Sequence, residues 1–334
     1  MKPQRVILSF DYELFFGDKS GTVIESLIKP TNQLLDCMDS VGYKGNFFVD
    51  WQMLKYIKQE RDERCQNDYL LIVEQLKDMV RRGHRIELHI HPHWVDAKYN
   101  GDGTWNFSNF QHYCLNSFTK DEITQLFKEG VGVLTTIAKE VKPDYKLVAF
   151  RAGGWAVQPF ELLKDGFEAT DIKIDSSVME GIGVKTSHSE CMFTDIRMPQ
   201  KGYYRFDSDV HEPDSNGLFI EIPISACERK FWVKVVSKLT RILKIDFTPL
   251  TDGTHERKAD DPDQWFNPFG LGVFTFSNIT PLEIILRQIA NANSKYTCYI
   301  EHPKDFTNYS IKGIKALARI RRSVLYSEIL EEIG

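Results

Sequence analysis

The run Gly83-His84-Arg85-Ile86-Glu87-Leu88-His89-Ile90-His91-Pro92-His93-Trp94 holds four of the nine histidines within ten residues. Arg85 to His89 reads as a strand. Pro92 has no N–H to give to a central ladder, so the chain is expected to turn there. His89 and His93 stand i, i+4, a spacing that lets both imidazoles converge on one metal once the strand has ended. His91 is a third candidate, either as a ligand or as support for the ligands. The competing explanation is a surface histidine cluster.

Other β-rich runs flank this one: Arg5 to Phe10, Gly45 to Val49, Leu147 to Phe150, Gly217 to Ile224 and Thr297 to Ile300. Between them, apolar residues recur at helical spacing over Val23–Met38, Tyr69–Val80, Lys120–Ile137, Phe231–Leu243, Pro281–Ile289 and Ile314–Leu330. Strands alternating with helices predict an α/β chain built on a parallel sheet, which suits both a barrel and an open doubly wound sheet. No GxGxxG follows the first strand, which disfavours a dinucleotide site. Two long polar stretches, near 94–117 and 247–270, are expected as loops.

The 334 residues exceed an average domain of roughly 150. With no repeat or linker, they are expected to form a single domain over 1–334. The formal net charge is −5, which argues against broad electrostatic binding to nucleic acid or to anionic membranes. Cys37, Cys65, Cys114, Cys191, Cys227 and Cys298 are scattered singly, without a CxxC pair. Met1 to Arg5 passes straight into a short apolar run with acids after it, unlike a signal peptide. Nothing approaches the ~18 apolar residues of a membrane span. A reduced, cytoplasmic protein is the expectation.

The ends of the strands carry the reactive side chains. Ser9-Phe10-Asp11-Tyr12-Glu13 puts Asp11 and Glu13 on one side of an extended chain. Two histidines and one of these carboxylates would hold a divalent metal and leave the other carboxylate as general base. Phe150-Arg151-Ala152-Gly153-Gly154-Trp155 presents a guanidinium able to grip a carboxylate, beside a backbone pressed close to a ligand. His302 follows the last apolar run in Ile300-Glu301-His302-Pro303-Lys304-Asp305.

This ordered set resembles the polysaccharide deacetylase family, carbohydrate esterase family four, from Arg5 to about Asp305. The match rests on Phe10-Asp11, Gly83 through His93, Phe150-Arg151, Ile174-Asp175-Ser176-Ser177-Val178, Glu221-Ile222-Pro223 and His302-Pro303. Two departures stand out. The family usually has two adjacent aspartates where Asp11-Tyr12 stands here, so the ligand role passes to Glu13. Ala152-Gly153-Gly154 replaces the prolines that commonly follow the arginine.

The resemblance implies an irregular (β/α) barrel, often of seven strands. It also implies a metal-dependent N-deacetylase of an N-acetylated sugar, a glycan or a glycan precursor, including nucleotide- or lipid-linked ones. Glu13, His89 and His93 would hold one divalent ion, most simply Zn, with Co, Ni, Fe or Mn also accommodated by such ligands. Asp11, oriented by Arg151, would take a proton from the attacking water, and His302 would protonate the departing nitrogen. Trp94 and Trp155 are candidates for stacking on sugar faces or for packing in the core. His91 and Asp175 are candidates for supporting the ligands. The alternatives are a metal-dependent amidohydrolase of a non-sugar C–N bond and a catalytically silent glycan-binding barrel. The sequence leaves the oligomeric state open.

Overall fold

The computed structural model describes residues 4–194, 202–255, 264–291 and 294–333. Its main sheet is built on β1 (Arg5–Tyr12), β2 (Asn46–Asp50), β3 (Arg85–Ile90), β4 (Ala149–Ala152), β5 (Ile174–Asp175), β6 (Phe219–Glu221) and β7 (Tyr296–Glu301). Across the sheet these run β6-β5-β4-β3-β2-β1-β7, every neighbouring pair parallel. Arg322–Ser323 adds to the start of β1, and Tyr204–Phe206 pairs antiparallel with β6. The two edges meet where the Ser225 N–H donates to the Cys298 carbonyl (3.0 Å) and the Cys298 N–H donates to Ser225 Oγ (3.0 Å). The fold is therefore an irregular, curled (β/α) barrel.

Alternation along the strands sends side chains to two apolar cores. Val6, Leu8, Phe47, Val49, Ile86 and Leu88 join the layer beneath the helices. Ile7, Phe48, Ala149, Ile174, Ile220 and Tyr326 fill the concave side. Strands buried on both faces lack polar alternation, which is why they read as apolar runs.

Helices α1 (Lys29–Ser40), α2 (Trp51–Gln59), α3 (Glu63–Arg81), α4 (Lys120–Lys139), α5 (Lys164–Thr170), α6 (Phe231–Ile242), α7 (Pro281–Ala290), α8 (Asn308–Leu317) and α9 (Tyr326–Ile333) carry the connections. A reciprocal capping box between Thr119 and Glu122 starts α4. One expectation changes, and three elements have no counterpart in the sequence pattern. Ile314–Leu330 is not one helix: α8 ends at Leu317, and Arg322–Ser323 joins the sheet before α9 begins. α2 and α5 were not expected from periodicity. β5 is only two residues long, too short to give a pattern of its own.

The stretch 94–117 is packed, not a solvated loop. It contains a 3-10 turn over Pro92–Asp96 and a hairpin of Lys98–Tyr99 with Trp105–Asn106, and it buries Trp94, Trp105 and Phe107. Of the second expected loop, residues 256–263 lie outside the described residues, while Gln264–Phe266 pairs antiparallel with Gly183–Lys185. All six cysteines are buried thiols. Among the described residues no helix is long and apolar enough to cross a membrane.

Candidate metal and acid–base centre

The C-terminal ends of β1, β3, β4 and β7 converge, as expected of a parallel barrel. β1 delivers Asp11 and, one residue beyond its end, Glu13. Both are buried. Arg151, from β4, lies wholly in the interior with its fork fully used. Its Nη1 donates to Asp11 Oδ1 (2.5 Å), Nη2 to Ser9 Oγ (2.7 Å) and Nε to the Ser176 carbonyl (2.8 Å), and its plane covers the Phe48 ring at 4.2 Å. Burial by itself would raise the Asp11 pKa, but Arg151, His89 and His302 outweigh it and hold the carboxyl below its ordinary value.

Glu13 is the hub. Its Oε2 lies 3.1 Å from His89 Nε2 and 2.8 Å from His91 Nε2, while Oε1 accepts from Lys304 Nζ (2.7 Å). Burial opposes its charge, yet His91, Lys304 and His89 hold it well below the usual carboxylate range. His89 Nδ1 sits 2.7 Å from the Arg151 carbonyl. A carbonyl and an ionised carboxylate both only accept, so His89 donates from Nδ1 to Arg151 and from Nε2 to Glu13. Burial opposes its charge, but Asp11 and Glu13 raise its pKa. Loss of the Nε2 proton would free that lone pair for a cation. His91 stacks on Phe16 (4.3 Å between centroids), and its buried Nδ1 has no hydrogen-bond partner among the described residues. Two imidazoles and one carboxylate, with one ligand atom each and all within 4.8 Å of one another, form a donor set that fits a divalent cation.

His302 stands at the mouth of the centre with 22% of its side chain exposed. Its Nε2 is 3.5 Å from both Asp11 Oδ2 and Glu13 Oε1, and Nδ1 is 3.5 Å from Asp305 Oδ2. Burial first, and then the Lys304 cation, depress its pKa. Asp305 is in turn held by His255 at 2.7 Å.

Asp11, Glu13, His89, Arg151 and His302 thus come together. His93 is placed one step further out: its ring lies 5.8 Å from that of His91 and packs against Phe16 (5.1 Å) and Tyr113 (4.4 Å). His91 occupies the position beside Glu13, because residues two apart on an extended strand share a face and residues 89 and 91 precede the turn at Pro92. Trp94 is fully buried and donates its indole N–H to Asp50 (2.6 Å), so it packs in the core and is not free to stack on a sugar. Burial pushes the Asp50 carboxyl up to about 6. Trp155 is half-buried at φ 58°, with its ring 6.0 Å from Trp265. Ser176, not Asp175, touches Arg151. Asp175 binds Ser177 instead and lies in register with Glu221.

Lys304 escaped the reading of the sequence. Its ammonium is buried, bound to Glu13 and to the Leu14 carbonyl (2.8 Å), and nothing in His302-Pro303-Lys304-Asp305 distinguishes it from a surface lysine. Gly153 explains part of the departure after Arg151. A Cβ there would stand 2.6 Å from the Ile90 carbonyl and 2.8 Å from His91 Nδ1. A groove of about 280 Å³ runs beside Phe16, lined by Asp18, Trp105, Phe107 and Phe110 among others.

No family model and no curated protein matches the chain. Solved structures do match in shape. A 4-alpha-glucanotransferase from Thermococcus litoralis is 11% identical with a TM-score of 0.53, the match covering 99% of this chain and 41% of that one. A protein described as a polysaccharide deacetylase from Mycobacterium smegmatis is 15% identical (TM-score 0.47; 100% and 92% covered), and a peptidoglycan deacetylase from Bacillus subtilis is 12% identical (0.39; 99% and 92%). The irregular (β/α) barrel is the fold shared with the glucanotransferase structure. At such identities the likeness is one of fold, and the chemistry rests on the centre of this barrel itself.

Proposed function

We propose that this protein is a metal-dependent hydrolytic N-deacetylase of an N-acetylated sugar, as a free glycan or as a nucleotide- or lipid-linked precursor. One observation carries the reading: a single carboxylate oxygen of Glu13 stands within 3.1 Å of two imidazole nitrogens, beside a second carboxylate locked by an arginine. Glu13, His89 and His91 would hold a divalent cation, Zn most simply, with Co, Ni, Fe or Mn compatible with the same ligands. When bound, such an ion polarises an acyl carbonyl and acidifies water.

The remaining roles belong to the side chains. Arg151 keeps Asp11 ionised and fixes Oδ1, leaving Oδ2 to accept a proton from water attacking the amide carbon. His302, 3.5 Å from that oxygen and reachable from solvent, is placed to pass a proton to the leaving nitrogen. The products are acetate and a free amine. The groove beside Phe16, with its aromatic lining, suits the apolar face of a sugar ring.

Lys304 favours a second reading, a glycan-binding barrel without a metal, because its ammonium already answers the charge of Glu13. Metal analysis of the purified protein and acetate release from N-acetylated sugars, with and without chelator, separate the two. The first reading expects bound metal and activity abolished by chelation and restored by added ion. Full acetate release after complete chelation would sink it, as would a site that takes up no ion. Ammonia or a non-acetate acid released from simple amides would redirect it to a non-sugar amidohydrolase.

A further inference from the structure

The surface around α6 differs from the rest of the chain. Between Arg229 and Ile245 stand six cations and no acid, in a protein of net charge −5. At roughly 100° per residue the helix sorts into three faces. Val233 and Thr240 turn inward and are buried, with α7 packed alongside. Phe231, Trp232, Leu239, Ile242 and Leu243 form an outward apolar arc, each 49–69% exposed. Lys234, Lys238 and Arg241 are exposed along the third face. Arg229 Nε donates to the Gly270 carbonyl (3.1 Å), which sets exposed Phe269 near the start of the helix.

Five large apolar side chains on one exposed arc mark an interaction surface, and a basic flank beside them narrows the partner. We propose that α6 docks this protein on an anionic lipid surface. Phe231, Trp232, Leu239, Ile242 and Leu243 enter the boundary between headgroups and acyl chains, and Lys234, Lys238 and Arg241 meet lipid phosphates. Charge complementarity selects this occupant over the others. A second copy of the same face would set three cations against three, with no acid on the helix between them. A protein groove that wraps a basic helix needs all its sides, and the inner side of α6 is already packed. Nucleic acid would leave the apolar arc unused.

The near-neutral total charge is no obstacle, because the cations are segregated within one short segment and screening confines their effect to about 10 Å. That segment also leads to the candidate centre. Beyond α6, the Leu250 N–H donates to the Phe306 carbonyl (3.1 Å) and Thr251 Oγ1 to the Lys304 carbonyl (2.9 Å). The docking face and the hydrolytic centre are thus joined by one stretch of chain, although docking does not depend on what the centre does.

Flotation of the full chain with vesicles tests the proposal. The protein is expected to float with mixed phosphatidylcholine–phosphatidylglycerol vesicles, to release them as salt rises, and to stay behind with phosphatidylcholine alone. Each basic residue contributes roughly fivefold to partitioning, so the triple variant K234E/K238E/R241E should bind more than about 100-fold more weakly. W232S/L239S should also lose binding. All five replaced side chains are exposed, so circular dichroism should show the parent fold. No binding to mixed vesicles, or equal binding by the triple variant, overturns the proposal. So does a concentration-dependent dimer, abolished in W232S/L239S, in a protein that ignores the vesicles.

Discussion

Lys304 Nζ lies 2.7 Å from Glu13 Oε1, on the opposite oxygen of the carboxylate from the two imidazoles. The ammonium therefore neutralises the hub of the candidate metal centre and fixes its orientation, and both groups are buried. Removing one member of a buried pair strands the other, typically at about 3–5 kcal/mol. Lys304→Met is expected to lower the melting temperature of the metal-free protein. Because Oε1 of Glu13 then lacks its ammonium while His89 and His91 stay beside Oε2, added Zn²⁺ should raise the melting temperature more in the variant than in the parent. Equal metal-induced shifts would show that Lys304 and the ion do not share Glu13.

Arg151→Lys keeps the charge but cannot serve Asp11, Ser9 and Ser176 together, since an ammonium lacks the planar fork. Asp11 then loses part of the attraction that depresses its pKa. The base is active when ionised, so the acidic limb of kcat/KM should move to higher pH, and the plateau should drop about 100-fold. An unshifted limb would remove Asp11 as the base.

Gly153 and Gly154 should part company. Gly153→Ala forces a Cβ against the Ile90 backbone and the His91 ring, so it should weaken metal binding by about 10–100-fold through the misplaced ligand. Gly154 stands at φ 60° with its nearest neighbour, Tyr113, 3.3 Å from a built Cβ. Gly154→Ala should cost about 1–2 kcal/mol of stability and leave metal affinity near the parent value. Isothermal titration and thermal melts on both variants decide this.

Glu221 and Asp175 face each other in register on adjacent strands, fully buried. Burial, and then the charge of Asp175, drive the Glu221 pKa well up, which favours its protonated form above the ordinary glutamate range. A raised folded pKa gives stability that is present at low pH and lost as pH climbs through that value. Unfolding free energy should fall with rising pH above the ordinary glutamate range, by up to about 1.4 kcal/mol per unit for one proton. Glu221→Gln keeps a donor without titrating, so its profile should be flatter. Parallel profiles for parent and variant would show that Glu221 does not titrate with folding.

Much of the barrel was legible because its strands are buried on both sides and its longer helices each have one apolar face. What escaped was short or coupled. Ile174–Asp175 is too brief for any period, and the break after Leu317 is imposed by Arg322 pairing with Arg5 across the sheet. In the centre, Asp11, Glu13, His89, Arg151 and His302 are recognisable because each follows an apolar run where a parallel strand ends.

The sequence by itself determined the strand–helix alternation, the ends at which chemistry collects, and the residue types available there. Only the tertiary structure decided which two of three nearby histidines stand beside Glu13, that Trp94 belongs to the core, and that Lys304 is a buried partner rather than a surface charge. The reason is geometric. Local spacing constrains which faces two residues share along one strand. The distance from Glu13 to Lys304, 291 residues away in the chain, is set by how β1 and β7 pair when the sheet curls.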